Sequence, residues 1–137
     1  MLITGDSLGE STMKNVLVVD DSATMRRMVM SSLRGIEQIA YLEAANGLEA
    51  IEKLAINPVA LVLLDLNMPD MHGMEVVAFI RKHATFRELP IIVLTTRGDD
   101  DSRSAALAAG ATLYLTKPFD PAALAANARR LLFGDAH

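Results

Sequence analysis

The chain has 137 residues, no cysteine and a formal net charge of -4, with 51% hydrophobic and 22% charged residues. That length suits one domain with a real core, and the composition is globular rather than disordered; no apolar run approaches the roughly 18 residues that cross a bilayer. The missing thiols exclude disulfides and thiolate metal sites, and the negative charge argues against a general nucleic-acid binder, because phosphate contacts need a basic surface.

Residues 1–14 carry no core pattern, and their opening, MLITGDSLGE, lacks a basic n-region and a long apolar stretch. They read as a poorly structured extension of a cytoplasmic protein, followed by a domain over 15–133 and a tail over 134–137. The first strand is expected at Val16–Asp20 and the first helix at Ser22–Leu33, with Met25 and Met28, at helical spacing, in the core. A strand at Ile39–Glu43 leads to a helix at Gly47–Ala55, which Asn46 caps with Glu49 three residues on. Next come a strand at Ala60–Asp65, a helix at Gly73–His83, a strand at Ile91–Thr95 and a helix at Asp100–Ala109. The last unit is a strand at Thr112–Leu115 and a helix at Pro121–Leu132, where Asp120 supplies the cap and Pro121 the fixed φ. Gly35, Pro58 and Gly110 act as stops, and Leu124, Ala128, Leu131 and Leu132 form an apolar stripe on the last helix. Short apolar strands alternating with helices specify an α/β fold, a parallel sheet covered on both faces with helices placed alternately.

Ligands of such sheets sit outside the carboxyl ends of the strands. There the first strand delivers Asp20 and Asp21, the third Asp65, the fourth Thr95, and the loop after the fifth Lys117. Carboxylates this close repel: a pair at about 4 Å costs roughly 4 kcal/mol at an effective dielectric constant of about 20. A divalent, oxygen-seeking cation offsets that, and the absence of His and Cys from the set favours Mg²⁺ over zinc. A carboxylate flanked by such a cation and a lysine is a plausible phosphoryl acceptor, with Lys117 as a point charge on one oxygen and the Thr95 hydroxyl donating to another.

The segments NVLVVDDS (15–22), LVLLDLNMPDMHG (61–73), PIIVLTT (90–96) and YLTKPF (114–119) resemble, in order and spacing, the signatures of the receiver domains of two-component response regulators. The resemblance runs from about Asn15 to Phe133 and implies a doubly wound, five-stranded parallel sheet of the flavodoxin/CheY-like type, order 2-1-3-4-5, with five helices. It further implies that Asp65 is the phospho-acceptor and that Asp20, Asp21 and Asp65 hold Mg²⁺ together with the backbone carbonyl of Asn67. Thr95 and Lys117 match the residues that contact the bound phosphoryl group, Lys117–Pro118 matches a cis bond, and Tyr114 matches the aromatic switch that moves inward with Thr95. Asn67 and Arg97 sit where the family tunes access of water. One departure is Thr96, where a small Ala or Gly is usual.

The implied partners are a sensor histidine kinase or histidine phosphotransfer protein as donor, and a downstream target protein on the face of the fourth helix, fifth strand and fifth helix; neither nucleic acid nor membrane insertion is expected. The implied protein signals, catalysing only its own phosphorylation and slow dephosphorylation. DDSATMRRMV is similar to the first helix of stand-alone chemotaxis regulators, and no output domain is expected after Phe133. Arg26 and Arg27 read either as a kinase-facing pair or as a solvated helix face. A phosphorelay intermediate, a phosphate sink or a phosphorylation-independent interaction module would share the fold. An aspartyl-phosphate hydrolase of the haloacid-dehalogenase kind fits poorly, because Asn67 stands where its second Asp belongs, and a flavodoxin-like carrier would need a hydroxyl-rich loop in place of Asp20-Asp21. His72, His83 and His137 are too scattered along the sequence to suggest a shared metal site.

Overall fold

Alternation along the strands builds a sheet with two apolar faces. The computed structural model describes residues 13–68 and 73–134. Residues 1–12 of the expected extension, Pro69 and His72 after Asp65, and residues 135–137 with His137 lie outside the described residues. The elements run β1 (Lys14–Val19), α1 (Ala23–Ser32), β2 (Ile39–Ala44), α2 (Gly47–Ile56), β3 (Leu61–Leu64), α3 (Gly73–Lys82), β4 (Ile91–Thr95), α4 (Asp100–Ala109), β5 (Leu113–Thr116) and α5 (Pro121–Phe133). The strands pair in parallel in the order β2-β1-β3-β4-β5. β1 starts at Lys14, inside the stretch read as extension, because Lys14 pairs with Ile39 and its amide donates to the Gln38 carbonyl at 2.9 Å.

Side chains alternate in facing direction along a strand. Leu17, Val19, Val62, Leu64 and Val93 pack on one face with Ala50 and Leu54 of α2, Val76, Val77 and Ile80 of α3 and Ala106 of α4. Val16, Val18, Leu61, Leu63, Ile92 and Leu94 pack on the other with Val29 of α1 and Leu124, Ala128 and Leu132 of α5. The helices therefore do not alternate one by one, because the chain winds outward from β1 to β2 and then crosses back to β3 and onward. Full burial of a leucine such as Leu17 or Leu64 contributes about 1.5–3 kcal/mol.

The helix starts are chemically fixed. Ser22 accepts from the Met25 amide at 3.1 Å, Asn46 from the Glu49 amide at 2.8 Å, Asp99 from the Ser102 amide at 2.9 Å and Asp120 from the Ala122 amide at 3.0 Å. Such a cap typically contributes about 1 kcal/mol. α4 ends at Gly110, whose φ of 122° is a conformation that favours glycine, and Arg81 of α3 donates to its carbonyl at 2.9 Å. The Lys117–Pro118 bond is cis, as expected.

The expected core placement of Met25 and Met28 is corrected: Met28 is 50% exposed, and the two line a shallow apolar groove with Pro118, Phe119 and Pro121. Val29 is the α1 residue turned fully inward, so the buried stripe is rotated away from Met28. Among the described residues no helix is long and apolar enough to cross a membrane.

Candidate functional site

The acidic residues meet because of strand register. Val19 pairs with both Ala44 and Leu64, so the residues that follow, Asp20 and Asp65, leave the sheet side by side. The Asp65 amide donates to the Val19 carbonyl and the Asp20 amide to the Ala44 carbonyl, both at 3.0 Å. β4 ends on Thr95, which pairs with Thr116, and the Lys117 amide donates to the Thr95 carbonyl at 2.8 Å. β1 and β3 are neighbours whose following helices lie on opposite faces of the sheet. Their C-terminal ends open the crevice in which α/β folds bind ligands.

Within the crevice, Asp20 and Asp65 are 5% and 7% exposed and Thr95 is fully buried, while Asp21 is exposed. Lys117 Nζ lies 2.8 Å from Asp20 Oδ2 and 3.6 Å from Asp65 Oδ2. Asp20 Oδ1 accepts from the Ser22 amide at 3.0 Å, and Asp65 Oδ1 from the Asn67 amide at 3.2 Å. Burial pushes the Asp65 carboxyl above its ordinary range; the Asn67 amide and Lys117 ammonium pull it down, the Asp20 charge pushes it up, the Thr95 hydroxyl pulls it down, and burial prevails.

Carboxylate oxygens from Asp20, Asp21 and Asp65 all lie within 4.8 Å of one another. Among the described residues, this all-carboxylate donor set, with Lys117 beside it, fits a hard divalent cation and not zinc.

A second chain of contacts leaves the site through Thr95. The Arg97 amide faces the Thr95 hydroxyl at 3.4 Å, and the Arg97 carbonyl accepts a hydrogen bond from the Tyr114 hydroxyl. The Tyr114 ring, on β5, is 5% exposed and packs in the core on the α2–α4 side. Burial, with the Asp99 charge, holds its hydroxyl above the ordinary range.

Two residues make contacts at the site that their place in the sequence does not announce by itself. Arg26 is not on a solvated face: its guanidinium donates to the Asp20 main-chain carbonyl at 2.6 Å and pairs with Glu43 of β2 at 2.8 Å. The available signal was its place in the first turns of α1, whose side chains lean back toward the helix N-terminus and so toward the strand end. Arg27, its neighbour, is exposed. Gly73 is the other; a Cβ there would stand 2.6 Å from Leu66 Cα and 2.7 Å from the Asp65 carbonyl oxygen. Gly73 thus allows α3 to start against Asp65 and Leu66.

Residues 16–129 match the family model described as the response regulator receiver domain. The chain belongs to the response regulator receiver family. As a receiver, it is 44% identical over 110 residues to the chemotaxis protein CheY1 of Helicobacter pylori, covering 80% of this chain and 89% of that one. Its fold is similar to that of the chemotaxis response regulator CheY4 of Vibrio cholerae, with a TM-score of 0.79 and 36% identity over 88% of this receiver and 100% of CheY4. The manganese-bound form of the response regulator Rcp1 matches with a TM-score of 0.79 and 27% identity, over 89% and 96% of the two chains. Family and fold therefore agree with the expectation from the four sequence segments, and the family is one of signalling proteins rather than classical enzymes.

Proposed function

We propose that Asp65 accepts a phosphoryl group from a phosphohistidine of a sensor kinase or histidine phosphotransfer protein, and that the receiver signals through the protein-binding surface this alters. A carboxylate oxygen of Asp65 attacks phosphorus in line with the histidine nitrogen; the new O–P bond forms as the N–P bond breaks, and its electron pair stays on the imidazole. Lys117 sits where its ammonium neutralises a phosphoryl oxygen, and Thr95 donates its hydroxyl to another. Asp20 and Asp21, with Asp65 and the Asn67 carbonyl, would hold Mg²⁺, which supplies further neutralisation of the phosphoryl oxygens when bound.

The observation that carries this reading is the Lys117 ammonium between two buried carboxylates, 2.8 Å from Asp20 and 3.6 Å from Asp65, beside the exposed Asp21. The Thr95–Arg97–Tyr114 contacts give the new charge a route to α4, β5 and α5, the surface on which a target protein reads the signal. The likeness to CheY proteins supports chemotaxis as the pathway and the cytoplasm as its location. The receiver catalyses its own labelling and a slow loss of the label.

Incubation with Mg²⁺ and acetyl phosphate or phosphoramidate, followed by intact mass spectrometry, should show one added phosphoryl group. The adduct should disappear in Asp65→Asn and in excess chelator. An adduct that survives in Asp65→Asn would remove the acceptor assignment, and equal labelling under chelation would remove the metal role of Asp20 and Asp21.

A further inference from the structure

We infer that Arg26 is a positioning residue for the paired acids of the site: its guanidinium locks the peptide plane that joins Asp20 to Asp21. This rests on the reading of Asp20 and Asp21 as cation ligands. The Asp20 carbonyl lies just beyond the last residue of β1, where the sheet stops supplying donors. β2 and its parallel ladder with β1 end at Ala44, whose carbonyl accepts from the Asp20 amide. Arg26 Nη1 fills the gap at 2.6 Å.

The consequence reaches both acids because a peptide unit is planar. The carbonyl that Arg26 holds belongs to the plane running from the Cα of Asp20 to the Cα of Asp21, so holding it restrains the two torsions beside that plane, ψ of Asp20 and φ of Asp21, on which the relative placement of the two side chains depends. The remaining polar atoms of Asp20 are held by Ser22, Lys117 and Ala44. Arg26 is itself anchored, since Nε pairs with Glu43 Oε1 at 2.8 Å and its side chain is only 15% exposed. One planar guanidinium serves a carboxylate and a carbonyl at once; the single ammonium of a lysine does not reproduce that fork.

The test measures binding of Mn²⁺, by electron paramagnetic resonance, to the full chain and to Arg26→Ala, Arg26→Lys and Glu43→Gln, with the melting midpoint of each recorded without metal. Partners behind a ligand typically contribute about 10–100-fold to metal affinity, so Arg26→Ala should bind Mn²⁺ about 10-fold more weakly, with Arg26→Lys and Glu43→Gln between it and the parent. A purely architectural role would lower the melting midpoint and leave Mn²⁺ affinity unmoved, and that result overturns the inference. If Arg26→Ala does not fold, Arg26→Met, which keeps most of the aliphatic stem, takes its place, and parent-like affinity in it and in Glu43→Gln is equally decisive. A parent chain that binds no Mn²⁺ overturns the cation-site reading along with the inference, whereas a binding parent with indifferent variants overturns the inference alone.

Discussion

The Tyr114 hydroxyl donates to the main-chain carbonyl of Arg97, two residues beyond Thr95, so the ring is held inward at the point where β4 leaves the site. Tyr114→Phe keeps the buried ring and removes this bond. It should lower stability by about 1 kcal/mol in urea unfolding, the usual worth of such a bond. The raised hydroxyl of Tyr114 adds a pH signature. A group whose folded value exceeds its unfolded value, here ordinarily 10.0, gives stability that is whole below that pH and lost as pH climbs through the folded value. Tyr114→Phe should therefore blunt the alkaline loss of stability, and the part that remains should include Tyr41, whose hydroxyl burial also pushes up. An unchanged alkaline limb would contradict the buried placement.

Asp65 should be a site where function costs stability. Its folded value lies above the ordinary 3.8, so the folded chain holds the proton more tightly than the unfolded one, and stability falls as pH rises from 3.8 through the folded value. In metal-free buffer near neutrality, Asp65→Asn should unfold at higher urea than the parent, and the gap should close below pH 3.8. A lower midpoint for Asp65→Asn at neutral pH would mean that Lys117 outweighs burial.

Gly73 offers a steric test. A Cβ at 2.6 Å from Leu66 Cα forces α3 and the loop after Asp65 apart, and overpacking of this kind costs about 1–3 kcal/mol. Gly73→Ala should lose that much stability and accept phosphoryl groups more slowly. Gly35→Ala is the control, because nothing lies within 4 Å of its Cβ position. Equal behaviour of the two variants in denaturation and labelling would count against the close approach.

Thr96 departs from the small residue usual in the family, yet it is exposed at the end of β4. Exposed substitutions usually stay within about 0.5 kcal/mol, so Thr96→Ala should leave the rate of labelling by acetyl phosphate within about twofold of the parent. A tenfold rise would show that its bulk screens Asp65.

Much of this architecture was legible because apolar alternation and strand-end chemistry are written locally. Asp20, Asp65 and Thr95 each close an apolar run, and register then makes them neighbours without further information. The residues that escaped act through tertiary contact. Arg26 looks like half of a surface Arg-Arg pair until the end of β2 is placed beside it, and Gly73 looks like a helix start until Leu66 is seen against it. Met28 failed in the opposite sense, since helical spacing with Met25 does not say which stripe of α1 meets the sheet; Val29 does.

Asp20 follows β1, near the middle of the sheet, yet its two cationic partners come from the margins: Arg26 is anchored to Glu43 on the β2 edge, and Lys117 follows β5 at the other edge. Margins of a fold open more readily than its centre. Fraying of either outer strand thus slackens a tether on the same aspartate, so competence to bind a cation should fade on warming before the sheet itself melts.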